Sequence, residues 1–292
     1  MSAAAVPQTN TRKPLCVLTL DGGGIRGLSS LLLLRELMAK LSVKKGVSPA
    51  DIRPTEYFDL IVGTGTGGIS ALFLGRLRMT VDEAIREHQR MVNAACGPSP
   101  SSLSQILLWI LPQSNVLPGE MLQRIIGDIA QQFIGNRDAI LGDETSCRSA
   151  VLACQSADVG APPFLFRSYI TTLPASPYTI RDVACAAVSH RGLFGAVVLG
   201  DPPVEFIDAG LLGYNNPTEV AIQEAALLWP ESVVDCLVSL DTGCQKIIRL
   251  GSTWRGFTQA SENIAQNLCT IVLLTIIYQD ISHTSDSMSP MD

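Results

Sequence analysis

Two stretches, each an apolar run followed by a glycine-rich turn and then a segment of helical period, constrain the fold of this chain most tightly. In the first, LCVLTL (15–20) runs into DGGGIRG (21–27) and then into LSSLLLLRELMAKL (28–41). In the second, YFDLIVG (57–63) runs into TGTGG and then into ISALFLGRLRM (69–79). An unbroken apolar run ahead of glycine reads as a strand buried on both faces, and the longer periodic segment behind it reads as a helix. Repeated strand, turn and helix units build a parallel sheet with helices over it. The expected fold is therefore three-layer α/β: a mainly parallel central sheet, helices on both faces, and a cleft at the C-terminal ends of the strands.

The rest of the chain extends this pattern. Thr80 followed by Glu83 predicts a capping box that opens a helix over 80–94. Further helices are expected in GEMLQRIIGDIAQQF (119–133), IRDVACAAVS (180–189) and PTEVAIQEAALLW (217–229), the last with proline in its first turn. Strands are expected in CRSAVLACQSA (147–157), FLFRSYI (164–170), VEFIDAG (204–210) and DCLVSLDTG (235–243). The Pro- and Ser-rich CGPSPSSLSQ (96–105) predicts a loop or lid. Leu107, Leu108, Trp109 and Ile110 just beyond it read equally as a lipid-touching patch or as ordinary core. No stretch is rich enough in linker residues to divide the chain, so one domain over 14–281 is expected, with flexible termini at 1–13 and 282–292. With 292 residues, 47% of them hydrophobic and only 16% charged, the chain can fill one large core.

Charge and cysteine usage remove several classes of function. A net charge of −6 offers no cationic footprint for nucleic acid, and any membrane contact would have to be apolar and peripheral. The eight cysteines form no CxxC pair and only three histidines are present (His88, His190, His283), so no structural metal site is expected. Most cysteines lie in apolar segments, where a free thiol is a small core residue, and a reducing, cytoplasmic location is the expectation. The first fourteen residues lack the apolar stretch of a signal peptide. The run LCTIVLLTIIY (268–278) is far shorter than the ~20 residues that span a bilayer and reads as a buried strand or helix.

Both turns match GxGxxG, at Gly22, Gly24, Gly27 and at Gly63, Gly65, Gly68. A helix N-terminus behind glycine presents bare amides to an anion, which makes dinucleotide binding the first reading. That reading needs an acid at the end of the next strand to hold a ribose, and the strand ends instead in Ile61, Val62 and Gly63. Neither turn carries the GKS or GKT of a nucleoside-triphosphate loop. Acyl transfer is the other use of such turns. A GxSxG elbow puts a serine on a tight strand-to-helix turn. Here the elbow would be Gly63, Thr64, Gly65, Thr66 and Gly67, with no serine. Gly22, Gly23 and Gly24 would aim amides at a developing oxyanion with Arg26 beside them, and Asp208 is the available carboxylate.

DGGGIRG, YFDLIVGTGTGGISALFLGRLRM, FIDAGLLGYNNP and LVSLDTG, in this order, resemble the patatin-like phospholipase family and more closely its fungal members, over residues 14–245. The resemblance implies a patatin-like domain, related to α/β-hydrolase-type elbows, that hydrolyses acyl esters of phospholipids and other lipids without a cofactor. It implies an oxyanion hole at Gly22, Gly23, Gly24 and Arg26, a Ser-Asp dyad with Asp208 as its acid, and no histidine. The nucleophile position falls on Gly65, flanked by Thr64 and Thr66, and covalent catalysis needs an oxygen or sulfur there. AVSHRGLFGAVV (187–198) departs as well, where the family has a TSAAP segment. The two departures point to a divergent member whose hydrolysis is impaired. The alternative is a non-catalytic lipid-binding or signalling domain, as found in fungal immune-type receptors.

Blander roles stand beside these. Asp208 at a strand end also suits a turn former, and Asp21 with Arg26 suits a surface pair. His190 reads as a helix-end cap or a surface residue, and Asn215, Asn216 and Pro217 as the turn that starts the next helix.

Overall fold

The computed structural model describes residues 14–96, 119–143, 147–189 and 197–243. Seven strands and six α-helices lie along them. In chain order they are β1 (Pro14–Leu20), α1 (Gly27–Lys45), β2 (Leu60–Thr64), α2 (Gly65–Ala71), α3 (Val81–Cys96), α4 (Gly119–Ile134), β3 (Arg148–Gln155), β4 (Phe164–Arg167), α5 (Ile180–Ala187), β5 (Val197–Leu199), β6 (Val204–Asp208), α6 (Thr218–Leu228) and β7 (Val233–Leu240). The predicted capping box at α3 is present, with the Thr80 N–H donating to Glu83 Oε2 at 2.7 Å and the Glu83 N–H donating back to Thr80 Oγ1 at 3.3 Å. A second box, Thr179 with Asp182, opens α5. The loop or lid expected from Pro- and Ser-rich composition, His190, the 268–278 run and the polar tail lie outside the described residues.

The sheet has a parallel heart. β7, β1, β2 and β3 lie side by side and parallel, while β4, β5 and β6 join antiparallel. Alternate residues of the parallel strands feed two cores, as the two-residue strand period requires. Leu18, Leu20, Ile61 and Val151 pack under α1 to α5 on one face; Val17, Leu60, Val62 and Leu152 pack on the other against Ala221 and Ala225 of α6. The three-layer expectation holds.

What the sequence did not foretell is how β3 distributes its partners. β4 runs along one flank, from Ala150 opposite Arg167 to Ala153 opposite Phe164. The other flank belongs to β2 as far as Leu152 opposite Thr64, and from Ala153 opposite Asp208 onward it belongs to β6. The chain ends of β2 and β6 therefore meet on one flank at consecutive positions of β3, one strand rise of about 3.3 Å apart.

Candidate active site

Three loops converge where the parallel strands end. β1 leaves Leu20 for Asp21 and the 21–27 turn, β2 leaves Thr64 for the first turn of α2, and β7 leaves Leu240 for Asp241 and Thr242. The expected helix of the second unit begins at Gly65 itself, and its end loosens into a π-helical turn over Leu72–Arg76.

Gly65 sits in the left-handed region, with φ +57°, directly after the extended Thr64. This is the sharp strand-to-helix reversal of an elbow, in a conformation that side chains other than glycine adopt at a cost. A Cβ placed on Gly65 would lie 3.2 Å from Asp208 Oδ2, 3.4 Å from Asp208 Oδ1 and 3.3 Å from the Gly22 Cα. The elbow, the carboxylate and the glycine loop thus share one point. Gly67, two residues on, has room for no side chain, because its Cβ would press on the main-chain oxygens of Leu20 and Asp21. This close approach seats α2 against the end of β1.

Asp208 ends β6 with its N–H bonded to the Ser189 carbonyl at 2.8 Å. The Gly210 N–H donates to Asp208 Oδ1 at 2.9 Å, so the turn-former role foreseen for this residue is real and coexists with its position beside Gly65. Desolvation outweighs that hydrogen bond and raises the Asp208 pKa to about 7. Asp21 is fully buried at the base of the glycine loop, so it is not half of a surface pair with Arg26. Burial, helped by Asp241 and opposed by a hydrogen bond from Asn216, lifts Asp21 to about 8.

The glycine loop is braced from residues that sequence patterning placed elsewhere. The Gly22 N–H donates to the Asn215 carbonyl at 3.2 Å, and the Thr242 hydroxyl donates to the Gly22 carbonyl at 3.0 Å. Asn216 forms the turn that starts α6, as expected, its Oδ1 accepting from the Thr218 N–H at 2.9 Å. Its Nδ2 reaches Ser239 Oγ at 3.1 Å and Asp21 Oδ2 at 3.4 Å. The turn before α6 is thus both a helix start and a support for the loop. Arg26 anchors the far side through Nη1 to the Gly243 carbonyl at 3.3 Å.

Thr64 and Thr66 flank the elbow with buried hydroxyls that have no hydrogen-bond partner among the described residues. Thr66 Oγ1 and His88 Cε1 would each stand 3.1 Å from a Cβ on Gly27, which places Thr66 behind the loop with His88. His88 is buried, and desolvation lowers its pKa, disfavouring the charged ring. Among the described residues no cluster of three or more His, Cys, Asp or Glu could hold a metal, and no helix is long and apolar enough to cross a membrane.

The model of the Patatin-like phospholipase family matches residues 18–222. Phospholipase A I of Arabidopsis thaliana is 23% identical over 89% of this chain and 23% of its own length. Calcium-independent phospholipase A2-gamma of Homo sapiens is 28% identical over 78% of this chain and 28% of its own length. Probable inactive patatin-like protein 9 of Arabidopsis thaliana is 24% identical over 70% of this chain and 53% of its length. The chain spans about a quarter of the length of the first two relatives.

Proposed function

The chain belongs to the patatin-like phospholipase family, and from that premise we propose that it carries the frame of a lipid acyl-ester hydrolase with glycine at the nucleophile position, its covalent route therefore absent. One observation carries this reading: a Cβ on Gly65 would stand 3.2 Å from Asp208 Oδ2. A hydroxyl one bond further out would be within reach of a carboxylate able to take its proton. That single oxygen is what Gly65 withholds.

The remaining residues have roles that follow from their contacts. The Gly22 amide is bonded to Asn215, which leaves Gly23 and Gly24 to offer their amides to the oxyanion of a tetrahedral intermediate. Arg26 adds positive charge at the same loop. Asp208, with a pKa of about 7, is the base, ionised on the alkaline side of neutrality. Without a nucleophile, Asp208 acting on water together with the oxyanion loop retains at most ~10³ to 10⁴ over the uncatalysed reaction. A relative named as a probable inactive patatin-like protein supports an impaired site within this family. The substrate class is the acyl ester of a lipid or phospholipid, and contact with lipid assemblies is peripheral.

The experiment is hydrolysis of p-nitrophenyl butyrate and of phosphatidylcholine vesicles by the protein, by Gly65→Ser and by Gly65→Ser with Asp208→Ala. Turnover by the first variant at least a hundredfold above the protein itself, returned to the starting level by Asp208→Ala, is the expected pattern. Equal turnover by the protein and Gly65→Ser would place the nucleophile elsewhere, and silence from both would mean that the frame is not competent.

A further inference from the structure

Far from the cleft, at the N-terminal ends of the parallel strands, Cys16 of β1 and Cys236 of β7 are direct register partners. The register shifts between Leu15 and Cys16, so an irregularity in the pairing falls beside this pair. Both side chains lie on the face that carries Leu18, Leu20, Val238 and Leu240, and both are half-buried. Neighbouring strands stand about 4.8 Å apart, inside the roughly 4.4 to 6.8 Å Cα separation that a disulfide spans. Side by side on one face of adjacent strands, the two thiols perturb one another, Cys16 upward and Cys236 downward. Among the five cysteines whose side chains are described, no other two face one another in this way: Cys154 is opposite Ile207, Cys185 lies on α5, and Cys147 precedes β3.

We propose that Cys16 and Cys236 form an oxidisable dithiol that closes an intrachain disulfide between β1 and β7 on reaction with a hydroperoxide. Their coupling divides the labour. Interaction with Cys16, against burial and the nearby Asp235, draws Cys236 down to a pKa of about 7, while Cys236 and burial push the Cys16 thiol up and keep it protonated. Cys236 is then the attacking thiolate. Its sulfur takes the outer oxygen of the hydroperoxide together with its hydrogen, the O–O bond breaks, and the remaining oxygen regains from solvent the proton that Cys236 released and leaves as an alcohol, or as water from hydrogen peroxide. The Cys16 sulfur attacks the resulting sulfenic sulfur, the S–S bond forms, and water departs with the Cys16 proton. Two thiols are oxidised and one hydroperoxide is reduced. Cys147, Cys154 and Cys185 cannot compete, because desolvation pushes them to about 12, 11 and 12.

The bond would join the two strands that feed the site, since β1 continues into the glycine loop and β7 into Thr242, which braces it. The sulfurs lie about five residues, roughly 16 Å along the strand, from that loop. The pair is therefore independent of the acyl-transfer reading and is tested apart from it.

The full chain is treated with hydrogen peroxide, alkylated, digested without reduction and mapped by mass spectrometry. A Cys16–Cys236 linked peptide, reversed by dithiothreitol, is the expected product. In the reduced protein at pH 7, Cys236 should alkylate at least tenfold faster than Cys147, Cys154 or Cys185. In Cys16→Ser, Cys236 should stop at a dimedone-reactive sulfenic acid; in Cys236→Ser, Cys16 should stay reduced. Overoxidation of Cys236 in the unaltered protein with no linked peptide would overturn the proposal, as would both cysteines remaining alkylatable while others oxidise.

Discussion

Asp21 and Asp208 are carboxylates that the fold keeps partly protonated near neutrality, at about 8 and about 7. An unfolded aspartate titrates near 3.8, so between that pH and neutrality the folded protein holds protons that the unfolded chain has released. Their contribution to stability is full below about pH 4 and is lost as pH rises through the folded values. At ~1.4 kcal/mol per pKa unit the pH-dependent part is about 6 kcal/mol for Asp21 and about 4 kcal/mol for Asp208. Urea melts should give a lower unfolding free energy at pH 8 than at pH 5. Asp21→Asn, which keeps an oxygen for the Asn216 amide, should narrow that difference. Gly65→Ser has a different signature: the left-handed backbone should cost about 1 to 2 kcal/mol in the same melts while hydrolysis appears. Gly65 and Asp208 were legible because each ends a strong apolar run at a turn. Asn215 and Thr242 were not, since their bearing on Gly22 comes from loops that meet only in three dimensions.

Among the elements, α6 does two jobs. Its N-terminal approach supplies Asn215 and Asn216 to the glycine loop, and Thr218 joins Thr19 Oγ1 at 2.9 Å and Ser239 Oγ at 3.1 Å beneath it. Farther along, Glu224 is buried and takes a two-pronged contact from Arg167, Nε at 2.6 Å and Nη2 at 2.9 Å, plus the Tyr169 hydroxyl at 3.0 Å. Removing the acid would leave the guanidinium short of its partner inside the fold. Glu224→Ala should therefore lose about 3 to 5 kcal/mol in denaturant melts, and it should blunt the activity of the Gly65→Ser variant through α6. Gly67→Ala should act on the site more directly. Its methyl meets the main chain of β1, so relief requires α2 to back away, and the Gly65→Ser activity should vanish even where the protein still melts cooperatively. Most helices and strands could be read from period and caps. β5, three residues long, offered too little pattern. The antiparallel sense of β6 escaped notice because nothing within a strand's own sequence states the direction of its neighbour.

At the scale of the whole molecule, the geometry of the candidate site rests on how β3 is shared. Because β2 yields its flank of β3 to β6 after a single register step, an elbow from the first third of the chain meets a carboxylate from the last third with no loop closing over a gap. The parallel heart then brings β1 and β7 to the same end, carrying the glycine loop and its brace. Strand order fixes where these ends meet, and on the proposed reading the site then stands ready apart from one oxygen. Intact mass after treatment with a fluorophosphonate, which needs both an activated nucleophile and an oxyanion pocket, tests that most directly. The Gly65→Ser variant should gain one covalent adduct at position 65, dependent on Asp208, while the unaltered protein gains none. An adduct on the unaltered protein, or none on the variant, would contradict a frame complete except for its nucleophile.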